Sequence, residues 1–365
     1  MKKLFVITIY FLFFLTGVVR SDIILKPYLQ AVTQNSIYVL IECDSKDKAT
    51  VYYGNFSNIY NEASTEFISI TDKSPETYVH KIKISGLNPE TKYFYKVRQG
   101  NTESVPEEFT TAVLPGTPFR FAWMADCRND TTVHGQIATL IKNADPKFSL
   151  YGGDLCSKPG YKYWKSEFFI YSELELISKV PFFNTPGNHE GWEQNTKAFT
   201  HAPESASGLQ DYYSFDYGDL HVLVLNNEVD CFQGSPQYVF AEKDLSATKQ
   251  IWKIVIFHEP AYCFGGHGEN TEMKKISKKV FVPNKVDLTI TGHSHFYQHN
   301  FVENIHHLVI GSAGAGLYNP GNTSWTVKSV KDYNFAIVDV SSEKLDLKVY
   351  NNYNNLLDSL LLVKE

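Results

Sequence analysis

Apolar and polar positions divide the chain into two stretches with different rhythms. Between Ile23 and about Thr111, short runs of alternating character at residues 36–42, 49–53, 79–84 and 93–97 are separated by turn residues. Such runs predict antiparallel strands buried on one face, and several at this spacing predict an all-β sandwich. Residues 112–118, with Pro115, Gly116 and Pro118, read as a linker. Beyond it the apolar runs become continuous, as expected of strands covered on both faces. They alternate with helical patterns. One spans 131–143, with Ile137, Leu140 and Ile141 on one side and Thr131 or Thr132 as its cap, and a second spans 162–179. Further strands are predicted at 220–225, 251–257, 286–290, 307–310, 335–340 and 345–350. This order predicts an α/β domain over 114–365, layered α/β/β/α, preceded by the all-β sandwich at 22–113.

Five of the continuous runs end in side chains that bind metals. They lead to Asp126, to Gly153-Asp154, to Gly187-Asn188-His189-Glu190, to His258 and to Gly292-His293-Ser294-His295. Open α/β sheets build their sites at strand ends, and carboxylate, amide and imidazole donors suit hard or borderline divalent ions. Asp126, Asp154, Asn188, His258, His293 and His295 offer enough donors for two ions that share a carboxylate. Such a pair polarises a phosphoryl oxygen and activates a water near neutral pH. A proton for the leaving oxygen is still required, and His189 is placed to give it. The histidines outside this pattern, His80, His134, His201, His221, His299, His306 and His307, are read as packing or surface residues.

These motifs, in this order, resemble the calcineurin-like metallophosphoesterases. The stretch His258-Glu259-Pro260-Ala261-Tyr262, the triplet His295-Phe296-Tyr297 and the glycine-rich 311–318 make the chain similar to the purple acid phosphatase branch. That branch carries a fibronectin type III-like N-terminal domain, and Leu87-Asn88-Pro89 followed by Tyr93 looks like its tyrosine corner. The resemblance implies that Asp154 bridges two ions. It implies Asp126 and His295 on the first, with Asn188, His258 and His293 on the second. The ions would be iron, zinc, manganese or a mixture. The activity it implies is that of a secreted acid phosphatase acting on phosphomonoesters, with a phosphodiesterase on nucleotides or lipid headgroups as the alternative.

The chain departs from the resemblance at the first ion. The branch places a metal-binding tyrosine three residues after the bridging aspartate, where this chain has Ser157. The wider superfamily places a histidine two residues after the first aspartate, where this chain has Arg128. Two readings of Arg128 stand at this point: a grip on the substrate phosphate, or a salt bridge to a nearby carboxylate. The missing donor also keeps open a third class, a binding protein without turnover. His267, on a glycine loop after the fourth run, is a candidate substrate contact. Tyr262 and Tyr297 are weaker candidates for the pocket wall.

Composition narrows the setting. The chain is 43% hydrophobic with 15% aromatic residues, as a folded protein should be. Residues 1–21, with Lys2 and Lys3 before an apolar stretch of 16 residues that is too short to span a bilayer, read as a signal peptide. A secretory compartment and no stable membrane anchor are therefore expected. Loss of Lys2, Lys3 and Arg20 would take the formal charge from −6 to −9, which disfavours nucleic acid as a partner and leaves a small phosphorylated substrate. Asn55-Phe56-Ser57, Asn129-Asp130-Thr131 and Asn322-Thr323-Ser324 are glycosylation triplets. Five cysteines leave at least one unpaired. Bridges Cys127–Cys156 and Cys231–Cys263 are conceivable, with buried thiols as the alternative.

Overall fold

Alternate residues of the central strands explain why two sheets stack face to face. In the strand Phe119–Met124, Phe121 and Trp123 point into the space between the sheets, while Ala122 and Met124 point outward to helices. Both sets are fully buried, so the run is apolar throughout rather than alternating. The computed structural model describes residues 22–56 and 61–364, so the expected signal peptide and Ser57 lie outside the described residues.

The larger sheet has ten strands, in the order Leu356–Val363, Lys344–Tyr350, Phe335–Val340, Phe119–Met124, Phe148–Tyr151, Phe182–Asn184, Ile23–Gln30, Ser36–Cys43, Tyr78–Ser85 and Phe67–Ile70. Its middle three, beginning at Phe119, Phe148 and Phe182, run parallel. Opposite lies a seven-stranded sheet whose parallel set is Leu220–Val224, Trp252–Ile256, Leu288–Thr291 and Ile305–Ile310. Aromatic rings fill the gap. Phe121 stacks on Phe148 at 5.2 Å, and Phe183 stacks across the gap on Phe215 at 3.9 Å. Helices Thr131–Asn143 and Tyr171–Ile177 cover the outer face of the first sheet, and Pro236–Ala247 and Thr271–Ile276 that of the second. The layered α/β/β/α order expected from the sequence is thus present.

Two expectations need correction. Asp130 caps the first helix, not Thr131 or Thr132; its carboxylate accepts from the Thr132 and Val133 N–H groups. The helix expected over 162–179 is broken into a single α turn, a π turn Trp164–Phe168 and the α-helix Tyr171–Ile177. Trp164, Phe168 and Phe169 all bury against the same cluster as Leu176 and Ile177. One regular helix cannot turn all five toward one side, and the π turn resets the phase. The all-β sandwich is also tied to the second domain. Its strand Ile23–Gln30 pairs in parallel with the strand Phe182–Asn184, joining the first domain to the sheet that carries the site. The corner tyrosine behaves as expected, with the Asn88 N–H donating to Tyr93 Oη at 3.0 Å.

All five cysteines are free and buried, so neither conceivable bridge is formed. No described helix is long and apolar enough to cross a membrane.

One buried ion pair ties the strands Tyr213–Tyr217 and Leu220–Val224 to the helix Pro236–Ala247. His221 lies 2.7 Å from both Asp216 and Asp244. Burial opposes its charge, but the two carboxylates prevail and raise it to about 9. A raised folded value means stability that is fully present below about pH 6.5 and is lost as the pH rises through about 9. Asp216 is half exposed, so screening should leave roughly 1–2 kcal/mol. Urea midpoints at pH 6 and pH 9.5 should show that loss in the native chain and not in His221→Gln. Identical pH dependence in the two proteins would remove the pair from the stability account.

Candidate metal centre

Each candidate donor follows the C-terminal end of a parallel strand. Asp126 comes two residues after Phe119–Met124, Asp154 three after Phe148–Tyr151, and Asn188 four after Phe182–Asn184. On the second sheet His258 follows Trp252–Ile256, while His293 and His295 follow Leu288–Thr291. Turning these side chains back over the strand ends strains the backbone. Asp126, Asp154 and His293 have φ of 58°, 53° and 67°, a region that L residues seldom adopt. Glycine makes the crowding possible. A Cβ on Gly187 would collide with Asp154 Oδ1, and one on Gly292 with Asp126 Oδ2.

The donors form two neighbouring groups that share Asp154. In one, Asn188 Oδ1 lies 3.1 Å from His258 Nε2 and 3.0 Å from His293 Nδ1. His258 Nε2 is in turn 3.2 Å from His293 Nδ1 and 3.4 Å from Asp154 Oδ1. His258 Nδ1–H donates to the Gly152 carbonyl at 2.7 Å, which aims the lone pair of Nε2 at this group. Acceptors crowded like this call for a cation at their centre, so the residues present fit a metal ion. A proton is the other cation they can recruit. Burial alone would depress His258, yet Asp154 and Asp126 lift it to about 9. His293, half-buried and beside His258 and His267, is pushed down to about 3 by lost solvation and those neighbours.

In the second group the carboxylates of Asp126 and Asp154 and the ring of His295 bring donor atoms within 4.8 Å of one another, all buried. His295 Nδ1–H donates to the Gly316 carbonyl at 2.7 Å, leaving Nε2 as an acceptor 3.4 Å from Asp126 Oδ1. Asp126 Oδ2 accepts from the His293 N–H at 2.9 Å, while Oδ1 is buried without a hydrogen-bond partner. Arg128 also enters this group, donating from Nε to Asp154 Oδ2 at 3.0 Å. Of the two readings of Arg128, the geometry therefore supplies the salt bridge. Asp154 is held below the usual carboxylate range: burial works against its charge, but His258, His189 and Arg128 outweigh it.

His189 stands at the edge of both groups and is about one-third exposed, with Nε2 3.7 Å from Asp154 Oδ2. Its Nδ1–H donates to the Ser157 carbonyl at 3.0 Å, which leaves Nε2 free toward the site. His267 reaches the rim. Its ring lies 4.4 Å from that of His293, and its Nε2 lies 3.2 Å from Tyr318 Oη. Tyr262 and Tyr297 do not join it. Tyr262 packs on His307 and Trp325, and Tyr297 donates to Asp358. Asn129, from one of the glycosylation triplets, accepts from Arg128 Nη1 at 2.9 Å.

Three supporting residues were not singled out from the sequence. Tyr318 stacks on His295 at 4.3 Å. Glu167 grips Ser157 with both oxygens, accepting from its N–H and its hydroxyl at 2.7 Å each, and so fixes the carbonyl that orients His189. Glu190 accepts from the Gly187 N–H at 2.8 Å; burial, with the charge of Asp154, raises it to about 8. The glycine-rich motif signalled Tyr318 and the Asn188 motif signalled Glu190. Nothing local signalled Glu167, whose partner lies ten residues away.

A calcineurin-like phosphoesterase model matches residues 120–297, and a purple acid phosphatase N-terminal domain model matches residues 25–111. Purple acid phosphatase 23 of Arabidopsis thaliana is 28% identical over 262 residues, 60% of this chain and 57% of that protein. Probable inactive purple acid phosphatase 1 of the same plant is 26% identical over 326 residues, 71% of this chain and 53% of that protein. The chain thus spans a little over half the length of these relatives. The fold of a purple acid phosphatase from yellow lupin (Lupinus luteus) seeds matches with a TM-score of 0.82 at 19% identity, over 93% of this chain and 74% of that one.

Ser157 offers no phenolate and is held by Glu167, while the Tyr318 hydroxyl is turned to His267. Protein loaded with ferric iron should therefore show no strong visible absorption band. A band that a tyrosine substitution abolished would mean that a phenol reaches the metal after all.

Proposed function

This chain is a calcineurin-like metallophosphoesterase carrying a purple acid phosphatase N-terminal domain, and from that premise we propose that it hydrolyses small phosphate monoesters with the help of bound metal. The observation that carries the reading is the convergence of Asp154 Oδ1, Asn188 Oδ1, His258 Nε2 and His293 Nδ1, at 3.0–3.4 Å, beside a partly exposed and oriented His189. Those four side chains would hold an ion, with Asp126 and His295 as the further donors that a second ion would use. Iron, zinc and manganese all suit this mixture of oxygen and imidazole. When bound, such a metal polarises the phosphoryl group and lowers the pKa of attacking water.

The chain's own residues supply the rest. Donation of Nδ1–H to Ser157 fixes the tautomer of His189, so Nε2 is the atom that exchanges a proton with the leaving oxygen. Arg128 adds a permanent positive charge beside the reacting group. His267 and Tyr318 form an aromatic and imidazole rim on one side of the entrance. The secretory route follows from the leader read in the sequence. A second reading, binding without turnover, is favoured by Arg128 lying among the donors of the first ion.

Turnover of an aryl phosphate, an alkyl phosphate and an aryl diester by the metal-loaded protein separates these readings. The monoesters should be hydrolysed and the diester slowly or not at all; no turnover of any would favour the binding protein. Asp154→Asn should cut turnover by orders of magnitude, since both donor groups share that carboxylate. Near-native rates in that folded variant would sink the shared-carboxylate reading. His189→Ala should slow alkyl phosphates by about 10²–10⁴-fold and activated aryl phosphates far less. Equal losses on both would make His189 a structural residue.

A further inference from the structure

The guanidinium of Arg128 lies where the first ion's ligands point. Its Nε–H donates to Asp154 Oδ2 at 3.0 Å and its Nη2–H to His295 Nε2 at 3.2 Å. These are lone pairs that the first ion would need. His295 cannot turn away, because its Nδ1–H is committed to the Gly316 carbonyl and its ring is stacked on Tyr318. The third amino group is occupied too: Nη1 donates to Asn129 Oδ1 at 2.9 Å. Asn129 holds a left-handed φ of 74°. Arg128 is only 11% exposed, so three of its nitrogens are engaged in a nearly closed setting. The other donor group is untouched, since none of its members besides Asp154 bonds to Arg128, and that bond uses the opposite carboxylate oxygen.

We propose that this centre holds one tightly bound metal ion, among Asp154, Asn188, His258 and His293, and that Arg128 supplies from the protein the second positive charge. An arginine cannot be neutralised by losing its proton, so the charge is permanent. It opposes a metal ion at the adjacent position both by repulsion and by holding two of that ion's ligands. Asp126 Oδ1, which has no hydrogen-bond partner, leaves room at most for a loosely held cation there. The substrate phosphate would then be drawn to one metal ion and one fork of N–H donors rather than to two ions. This rests on the metal-centre reading above.

The test needs no substrate. The full chain is stripped with a chelator, titrated with Zn²⁺ alone, and its retained metal measured after gel filtration. The native protein should retain one equivalent, and Asn188→Ala should lose it. Arg128→His, which removes the guanidinium and offers a new donor, should retain two. Arg128→Ala should bind its second equivalent at least tenfold more tightly than the native protein does. Circular dichroism of each variant checks the fold. Two equivalents of similar affinity in the native chain would overturn the proposal, even with full phosphatase activity. A folded Arg128→His that still takes one would overturn it as well. Retention of no metal by the native chain would overturn both this proposal and the metal-centre reading.

Discussion

A single buried carboxylate organises the catalytic half of this molecule. Asp154 is almost inaccessible to solvent, and burying an unpaired carboxylate costs several kcal/mol. It is therefore surrounded by groups that favour its charge: Arg128 on one oxygen, His258 and the His189 N–H on the other. Those partners come from three separate strand ends and from both sheets. The charge can be satisfied only if the sheets stack in one register, with the ends of their parallel strands opposed. The aromatic layer sets that register, since Phe148 and Phe183 lie in the strands that lead to Asp154 and Asn188 and meet Phe215 across the gap. Core packing and site electrostatics thus impose the same arrangement.

Most of the site was legible in the sequence because its donors sit at fixed short distances beyond apolar runs. Glycine at 153, 187 and 292 reinforced the signal by marking where backbone crowds a ligand. The supporting contacts were much less visible. Glu167 reaches Ser157 from within a π turn ten residues further along the chain, a pairing that no local motif marks. Two threonines follow Asp130 and mask it as a cap, although a carboxylate one position earlier is the better acceptor for the exposed N–H groups. Arg128 meets a carboxylate and an imidazole together, and no spacing in the sequence marks His295, 167 residues away, as its neighbour.

The thiols carry a related lesson. Cys127 and Cys156 flank the two aspartates in sequence, which made a bridge conceivable. Both are instead sealed in the apolar layer beneath the outer helices, where burial pushes their thiols far up and leaves them unreactive. Their neighbours point to the opposite side of the strand ends, toward the ligand cluster. The left-handed backbone at Asp126 and Asp154 turns those carboxylates away from the direction their strands set.

The parallel pairing of Ile23–Gln30 with Phe182–Asn184 has a bearing on how the protein is made. During synthesis the first sandwich emerges early, yet one flank of its first strand has no partner until the chain has grown past Asn184. At ribosomal speeds that interval is on the order of ten seconds. For that time an apolar strand edge, with Leu25, Tyr28 and Leu29 on it, is open to pairing with other nascent chains. A chaperone or close spacing of folding steps would matter most in that window, which closes before His258, His293 and His295 have been translated.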